Sequence, residues 1–234
     1  MTAEGGALVG GMANAGAVFR RGELVERPAP RNARALHAYL RALRAHGFDA
    51  APVPVGLTED GREQLTFIPG DVALPPFPDR AMTASALASV GSLLRRLHES
   101  SAAVPVDPRA AALIDFDLAA PGRPLWDVAM TARYWVPLVD PASASAYYPA
   151  GLDAPARLRI LADAYGLPPQ DRADLPDVVE QATAVCRTFV THRVTTGDPA
   201  YLQALTERGG WARWDRLQSW LTEHREAFRA ALLK

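Results

Sequence analysis

The sequence predicts an α+β protein with a small, mostly antiparallel β region first and a larger helical region after it. Strand and turn signals concentrate before residue 70, where short apolar runs alternate with glycine-containing turns. From Trp126 onward, apolar residues recur at helical spacing and strand signals fade. A proline-rich stretch at residues 74–78 separates the two regions, so we expect two lobes, residues 1–73 and 74–234.

The elements of the first lobe follow from apolar spacing and turn residues. Arg21 and Gly22 separate two short apolar runs, which is typical of a β-hairpin. Three leucines that begin at Leu36 recur at helical spacing, and Gly47 ends the pattern. The expected elements are a hairpin over residues 17–26, a helix over 34–46, and strands over 52–57 and 64–68.

The second lobe is expected to begin with a long helix capped by Asp79. Its apolar face runs to Leu97, and His98 is expected at its end, where a positive charge interacts favourably with the helix dipole. Two further apolar stripes at helical spacing, over residues 175–190 and 211–228, predict long helices near the end of the chain.

Carboxylates follow an apolar run at residues 111–114. In the motif IDFD, Asp115 and Asp117 come at the end of this expected strand. One or two carboxylates on a rigid element are the protein ligands that Mg²⁺ prefers. A strand that ends in aspartate is also common without any metal, so the motif alone leaves both interpretations open.

The motifs around IDFD resemble the aminoglycoside-phosphotransferase-like family, whose fold is a variant of the protein-kinase fold. The matching motifs are FIPG at residues 67–70, LLRRLH at residues 93–98, IDFD, and LWDVA at residues 125–129. The resemblance implies a two-lobed kinase-like fold and ATP- and Mg²⁺-dependent transfer of a phosphoryl group to a small hydroxyl-bearing molecule. It assigns Asp115 and Asp117 to the metal, and Asp127 to bracing the catalytic loop through hydrogen bonds.

The resemblance also implies nucleotide contacts in the first lobe. Gly10 and Gly11 match the glycine-rich start of the family, where backbone N–H groups approach phosphates closely. Phe67 and Ile68 match the hinge, where main-chain groups pair with adenine. The glycine-rich stretch also fits a flexible N-terminus, and FIPG also fits an ordinary strand followed by a turn.

Several parts that the family uses for chemistry are absent from the sequence. Family members carry a catalytic loop, HGDxxxxN, between LLRRLH and IDFD. Here Ile114 follows His98 after only 16 positions, and no His-x-Asp pair occurs anywhere in the chain. We therefore assign no catalytic residue. Residues 100–108 are expected to form an irregular connector, and residues 110–116 a short strand.

The ion pair that kinases use to hold phosphates is absent as well. Kinases place a lysine on the third strand and pair it with a helix glutamate. The only lysine is Lys234, and no acidic residue occurs between Glu26 and Asp49. Arg27 and His37 are the loose substitutes that remain, and Arg27 is expected to contact the nucleotide.

Composition limits the class of protein. A net charge of −1 gives no electrostatic reason to expect nucleic-acid or anionic-membrane partners. A single cysteine, Cys186, excludes an internal disulfide and fits a reducing cytoplasm. No apolar run approaches the roughly 18 residues that a membrane span needs, and the N-terminus lacks the basic region of a signal peptide. We expect a soluble cytoplasmic protein.

Two functions are consistent with these observations. The first is a phosphotransferase-family protein of small-molecule-kinase ancestry, catalytically impaired because the catalytic loop is absent. The alternative is a pseudokinase-like binding or immunity module without transferase activity.

Overall fold

The computed structural model describes residues 6–8, 16–104 and 122–234. These residues form two compact units. The first contains the described residues up to Val72, together with residues 96–104 and Gly122. The second contains Ala73–Arg95 and Arg123–Lys234.

The first unit is built on a four-stranded antiparallel sheet, as the sequence predicts. Its strands are β1 (Phe19–Arg21), β2 (Leu24–Pro28), β3 (Pro54–Leu57) and β4 (Arg62–Thr66), and their order in the sheet is β1-β2-β4-β3. Every neighbouring pair is antiparallel. Ala7 forms an isolated antiparallel bridge with Phe19, which adds a short extended segment before β1.

The two faces of the sheet differ because side chains alternate along each strand. In β4, Glu63 and Leu65 are buried, whereas Arg62 and Gln64 on the other face are half-buried. Arg27 of β2 lies directly opposite Glu63 in the register. The buried face therefore carries an arginine and a glutamate as well as apolar residues.

Helix α1 (Ala33–Ala45) covers this buried face. Leu36, Leu40 and Leu43 are buried, which confirms the predicted helix and its apolar spacing. Gly47 follows the helix with a φ of +88°, a left-handed conformation that glycine adopts without steric cost.

The second unit is helical. Helix α6 (Pro169–Thr195) packs against α3 (Pro124–Trp135) and α8 (Gly210–Leu232), and α5 (Ala154–Tyr165) packs against α8. None of the described helices is long and apolar enough to cross a membrane. After a 3₁₀ turn at Asp79–Ala81, the helices are α2 (Ala84–Ala103), α3 (Pro124–Trp135), α4 (Pro141–Tyr147), α5 (Ala154–Tyr165), α6 (Pro169–Thr195), α7 (Pro199–Glu207) and α8 (Gly210–Leu232).

Two close contacts hold α5 in the second unit. Arg157 is buried and donates hydrogen bonds to the carbonyl oxygens of Met82 at 2.6 Å and Trp135 at 2.8 Å. Gly91 of α2 lies so close to α5 that a Cβ there would meet Ala164 Cβ at 3.0 Å. The buried guanidinium of Arg157 and the close approach of Gly91 therefore determine how α5 packs against its neighbours.

The predicted cap of α2 is wrong. Asp79 begins the separate 3₁₀ turn, and α2 begins at Ala84. Thr83 acts as the cap instead, because its hydroxyl accepts a hydrogen bond from the Ala86 N–H at 3.1 Å.

The predicted end of α2 is also wrong. The helix continues past His98 to Ala103, so residues 100–103 are helical rather than an irregular connector. Within this continuation, the Ser101 hydroxyl lies 2.6 Å from the Tyr39 hydroxyl of α1. Residues 105–116, which include the strand expected over 110–116, lie outside the described residues.

Candidate functional site

Three ionisable side chains meet on the buried face of the sheet. Glu63 is fully buried, and its two carboxylate oxygens have different partners. Oε1 lies 2.5 Å from Arg27 Nε, and Oε2 lies 2.9 Å from His37 Nε2. We refer to Arg27, His37 and Glu63 as the Arg27 cluster.

The fold assembles the Arg27 cluster from three separate elements. Register pairs Arg27 of β2 with Glu63 of β4, and α1 brings His37 onto the same face. If the short segment at Ala7 is counted, β2 is the third extended segment of the chain. Arg27 therefore lies on the third extended segment, the position to which the resemblance assigns the lysine, and its acidic partner comes from a strand instead of the helix.

The protonation pattern of the Arg27 cluster follows from its geometry. A guanidinium stays charged in proteins, and a carboxylate this close to it accepts hydrogen bonds only. His37 Nε2 therefore carries a hydrogen and donates it to Glu63. Glu63 is completely enclosed, whereas the Arg27 side chain is 15 % exposed. The buried carboxylate of Glu63 thus pairs with the guanidinium of Arg27, which lies at the edge of the buried face.

The opposite face of the same strands carries a second ion pair of similar chemistry. Arg62 Nε lies 2.9 Å from Glu26 Oε1, and Gln64 also donates to Glu26. Both members of this pair are half-buried. We refer to Glu26 and Arg62 as the outer pair, and it provides an internal comparison for the Arg27 cluster.

The hinge residues that the resemblance assigns to adenine are both described. The Phe67 N–H donates to the Glu23 carbonyl at 2.8 Å, so this amide is already engaged. The Arg20 guanidinium lies 3.9 Å from the centre of the Phe67 ring. Ile68 is 54 % exposed. An adenine contact at this hinge would thus use the Phe67 carbonyl or the Ile68 main chain, but not the Phe67 N–H.

Asp127 lies in the first turn of α3 and is half-buried. Arg123, just before the helix, donates to Asp171 at 3.1 Å, and Arg133 of the same helix donates to the hydroxyl of Thr183. The position of Asp127 at a helix N-terminus favours its negative charge.

The remaining predicted site residues, Gly10, Gly11, Asp115 and Asp117, lie outside the described residues. Within the described ranges, no group of three or more His, Cys, Asp or Glu side chains could hold a metal ion. The assignment of Mg²⁺ to Asp115 and Asp117 therefore stays a prediction from sequence.

Glu63 is the buried partner of Arg27 and His37 that sequence reasoning missed. The family pattern puts the acidic partner on the helix, where this chain has none. The signal that could have revealed it is the alternation in β4. Glu63 and Leu65 share one face of the strand, so an acid there is expected to be buried and paired.

Comparison with solved structures identifies the fold. A choline/ethanolamine kinase family protein from Mesorhizobium loti aligns over 99 % of this chain and 93 % of its own, with a TM-score of 0.63 and 18 % identity. The fold is kinase-like. The predicted α+β class is thereby confirmed. No protein-family model matches the sequence.

One curated protein resembles this kinase-like chain along most of its length. The trifolitoxin immunity protein of Rhizobium leguminosarum bv. trifolii is 26 % identical over 261 aligned positions, covering 92 % of this chain and 94 % of the relative. The chain itself has only 234 residues. The relative therefore carries residues within the alignment that have no counterpart here.

Proposed function

We propose that the protein descends from ATP- and Mg²⁺-dependent small-molecule phosphotransferases, still binds nucleotide, and is impaired in phosphoryl transfer. The observation that carries the proposal is a kinase-like fold in a chain whose sequence lacks any His-x-Asp pair. The gaps in the alignment with the immunity protein agree with the loss of a segment.

The expected impairment follows from the parts that the sequence lacks. In kinases the catalytic-loop aspartate accepts the hydroxyl proton of the substrate, and an asparagine binds a second Mg²⁺. A positioned general base alone contributes about 10²- to 10⁴-fold to rate. Because phosphoryl transfer depends mainly on positioning and electrostatic stabilisation, we expect the loss of both groups to reduce turnover by several orders of magnitude.

Retained nucleotide binding is supported by the Arg27 cluster. Arginine presents a planar fork of N–H donors that suits phosphate oxygens, and Glu63 holds Arg27 on the sheet. When Mg²⁺ is bound with ATP, it neutralises charge on the phosphates. By sequence resemblance, Asp115 and Asp117 would hold that ion.

The test combines a binding and a turnover measurement. Purified protein is titrated with ATP and Mg²⁺ while its melting temperature is recorded, because a ligand that binds the native state raises this temperature. The same protein is then assayed for ADP release with aminoglycosides, macrolides and amino alcohols. We expect stabilisation by ATP, little or no turnover, and loss of the Mg²⁺-dependent part of the stabilisation in Asp115→Ala.

The control for this test is Asp215→Asn, which changes an exposed aspartate of α8 paired with Arg187. It should leave the ATP effect unchanged. Rapid turnover that Asp115→Asn abolishes would instead indicate a rebuilt active site, and the proposed impairment would be wrong.

A toxin-immunity role is the second candidate. The match to the trifolitoxin immunity protein along 92 % of the chain favours it specifically. In this role the protein would protect a cell by binding, without any transferase activity.

Expression in a strain sensitive to trifolitoxin distinguishes the two candidates. Protection that persists in Asp115→Asn, at a protein level matched by immunoblot, would support binding without phosphoryl transfer. Protection that disappears in Asp115→Asn but remains in Asp215→Asn would support catalysis. The absence of protection by the wild-type protein would remove this toxin as the target.

A further inference from the structure

We infer that Arg133 and Arg213 of the second unit form a binding site for an oxyanion, meaning the carboxylate or phosphate group of a small ligand. The buried Arg157 adds a third positive charge nearby. We refer to these three arginines, together with the neighbouring Tyr148, as the Tyr148 cluster. All four residues belong to the helical unit, and the inference does not depend on the nucleotide binding proposed above.

The Tyr148 cluster is assembled from several helices. Arg133 lies on α3, Arg157 on α5 and Arg213 on α8. The Tyr148 hydroxyl donates to the Arg133 carbonyl at 3.4 Å, and Arg157 donates to the Trp135 carbonyl, two positions further along the chain. The Arg213 guanidinium lies 5.2 Å from the ring centre of the tyrosine that precedes Tyr148. Packing of the helical unit therefore gathers three cations in one region.

Carboxylates do not neutralise these three cations in the part of the chain that the structure describes. Arg133 donates to the hydroxyl of Thr183 and to the sulfur atoms of Met130 and Cys186, all of which are neutral. Arg157 donates to two main-chain carbonyls. A cation that is withdrawn from water is costly unless an opposite charge accompanies it. A negatively charged ligand would supply the charge that these side chains lack.

Tyr148 does not supply this negative charge either. Burial raises the pKa of Tyr148 to about 12, although Arg133, Arg213 and Arg157 each act in the opposite direction. The phenol is therefore protonated at neutral pH, and its hydroxyl donates to main-chain carbonyls. Because all three guanidiniums influence the same phenol, they add to one positive potential around a neutral group.

Two of the arginines have N–H groups left for a ligand. Arg213 Nε is buried and has no hydrogen-bond partner among the described residues. Arg133 uses Nε and Nη1, whereas its Nη2 donates to no described side chain or carbonyl. Guanidinium N–H groups form a planar fork that matches the oxygens of a carboxylate or a phosphate. Arg133 and Arg213 are therefore the binding residues, and Arg157 contributes charge only.

A purely structural role is the competing explanation, since half-buried arginines also hold helices together. Arg208 provides the matched control. It is exposed at the end of α7, belongs to the same unit, and forms no ion pair within the described ranges. Replacing Arg208 by Gln changes the net charge as Arg213→Gln does, but it leaves the Tyr148 cluster intact. A binding site and a general response to charge can thus be distinguished.

The experiment measures binding of inorganic phosphate and, separately, of acetate, without any nucleotide. Melting temperatures and calorimetric dissociation constants are recorded at an ionic strength held constant with sodium chloride, because added salt screens charges. We expect at least one anion to bind with a dissociation constant of about 1 mM, which so few ligand atoms can provide. The phosphate and acetate titrations show which oxyanion the site prefers.

The arginine variants make the decisive comparison. Arg133→Gln and Arg213→Gln should each weaken binding of the preferred anion about tenfold, the value of one charged hydrogen bond. Arg208→Gln should leave the dissociation constant unchanged. Arg213→Lys keeps the charge but loses the planar fork, so it should weaken binding several-fold, and it remains informative if Arg213→Gln fails to fold.

Three outcomes would overturn the inference. If the wild-type protein binds neither phosphate nor acetate, the oxyanion site does not exist. If Arg208→Gln weakens binding as much as Arg213→Gln does, the protein responds to net charge and not through a site. If the variants of Arg133 and Arg213 lower the melting temperature but keep the wild-type dissociation constant, their role is structural. None of these outcomes bears on ATP binding, which is measured separately.

Discussion

Arg157 and Met82 are joined by a hydrogen bond of 2.6 Å between a guanidinium N–H and a main-chain carbonyl, although the two residues lie 75 positions apart. Arg157 also donates to the Trp135 carbonyl, and it is buried. One side chain thus satisfies carbonyl groups from two other segments of the helical unit.

Replacing Arg157 by Met should destabilise the protein by about 3 kcal/mol or more, because two carbonyls lose a charged donor. Urea denaturation measures the free energy of unfolding. Arg159→Met, in the same helix, is the control. Arg159 pairs with Asp163 on the surface at 3.6 Å, and such pairs contribute about 0–1 kcal/mol. Equal losses in the two variants would contradict this assignment.

Gly91→Ala should destabilise the protein by about 1–3 kcal/mol. The added Cβ would lie 3.0 Å from both Ala164 Cβ and the Leu161 carbonyl oxygen, so α2 and α5 would have to separate. Helix propensity alone predicts the opposite sign, because alanine favours a helix by about 1 kcal/mol over glycine. A rise in the midpoint of thermal unfolding would show that the helices accommodate the methyl group.

Asp140→Asn should lower stability by about 0.3–1 kcal/mol at neutral pH, the usual value of a negative charge at a helix N-terminus. Burial raises the pKa of Asp140, but hydrogen bonds from Ser143 and the nearby Arg216 outweigh it, and the pKa lies below its ordinary value of 3.8. Asparagine can still cap α4, so the comparison isolates the charge.

The pH dependence of this difference follows from the direction of the shift. Because the pKa is lower in the folded state, the charged carboxylate stabilises the protein above pH 3.8, and this contribution is lost as pH falls through the folded-state pKa. Unfolding free energies of wild type and Asp140→Asn should therefore converge in acid. A gap that stays constant from neutral pH into acid would refute the assignment.

Ionisation of Tyr148 should lower the free energy of unfolding in strong alkali. Its burial raises the pKa of the phenol to about 12, from an ordinary value of 10.0. The protonated phenol stabilises the folded state fully below pH 10, and the contribution is lost as pH rises toward 12. Tyr148→Phe should lose less stability than wild type across this interval. Tyr134→Phe, which changes an exposed tyrosine, should behave like wild type.

Turn residues and apolar spacing in the sequence were sufficient to predict the sheet and α1. Gly22 provides the turn between β1 and β2, and three leucines at helical spacing define the buried side of α1. These features depend on neighbours in the chain, which a sequence shows directly. The α+β class followed from where each kind of signal occurs.

The end of α2 illustrates a misread local signal. Residues 99–103 contain no glycine or proline, and the first helix-breaking residue after His98 is Pro105. Nothing in the sequence therefore stops the helix at His98, and α2 continues to Ala103.

The Arg27 cluster needed information that a single sequence does not display. Arg27 and Glu63 are paired by strand order, since β4 inserts between β2 and β3. His37 joins them only because α1 covers that face. Residue types and helical spacing do not indicate whether the acidic partner of Arg27 comes from a strand or from a helix, because that depends on the tertiary fold.

The pairing of Arg27 with Glu63 also has a consequence for how the sheet assembles. If β2 slipped by one residue against β4, Arg27 would move to the outer face and Glu63 would remain enclosed without a cation. A buried carboxylate that loses its cation is strongly unfavourable, so the slipped alignment is penalised far more than it would be between apolar strands. The β3–β4 ladder, whose register shifts between Pro54 and Gly56, lacks such a penalty. The same charges that hold the arginine thus select one strand alignment over its neighbours.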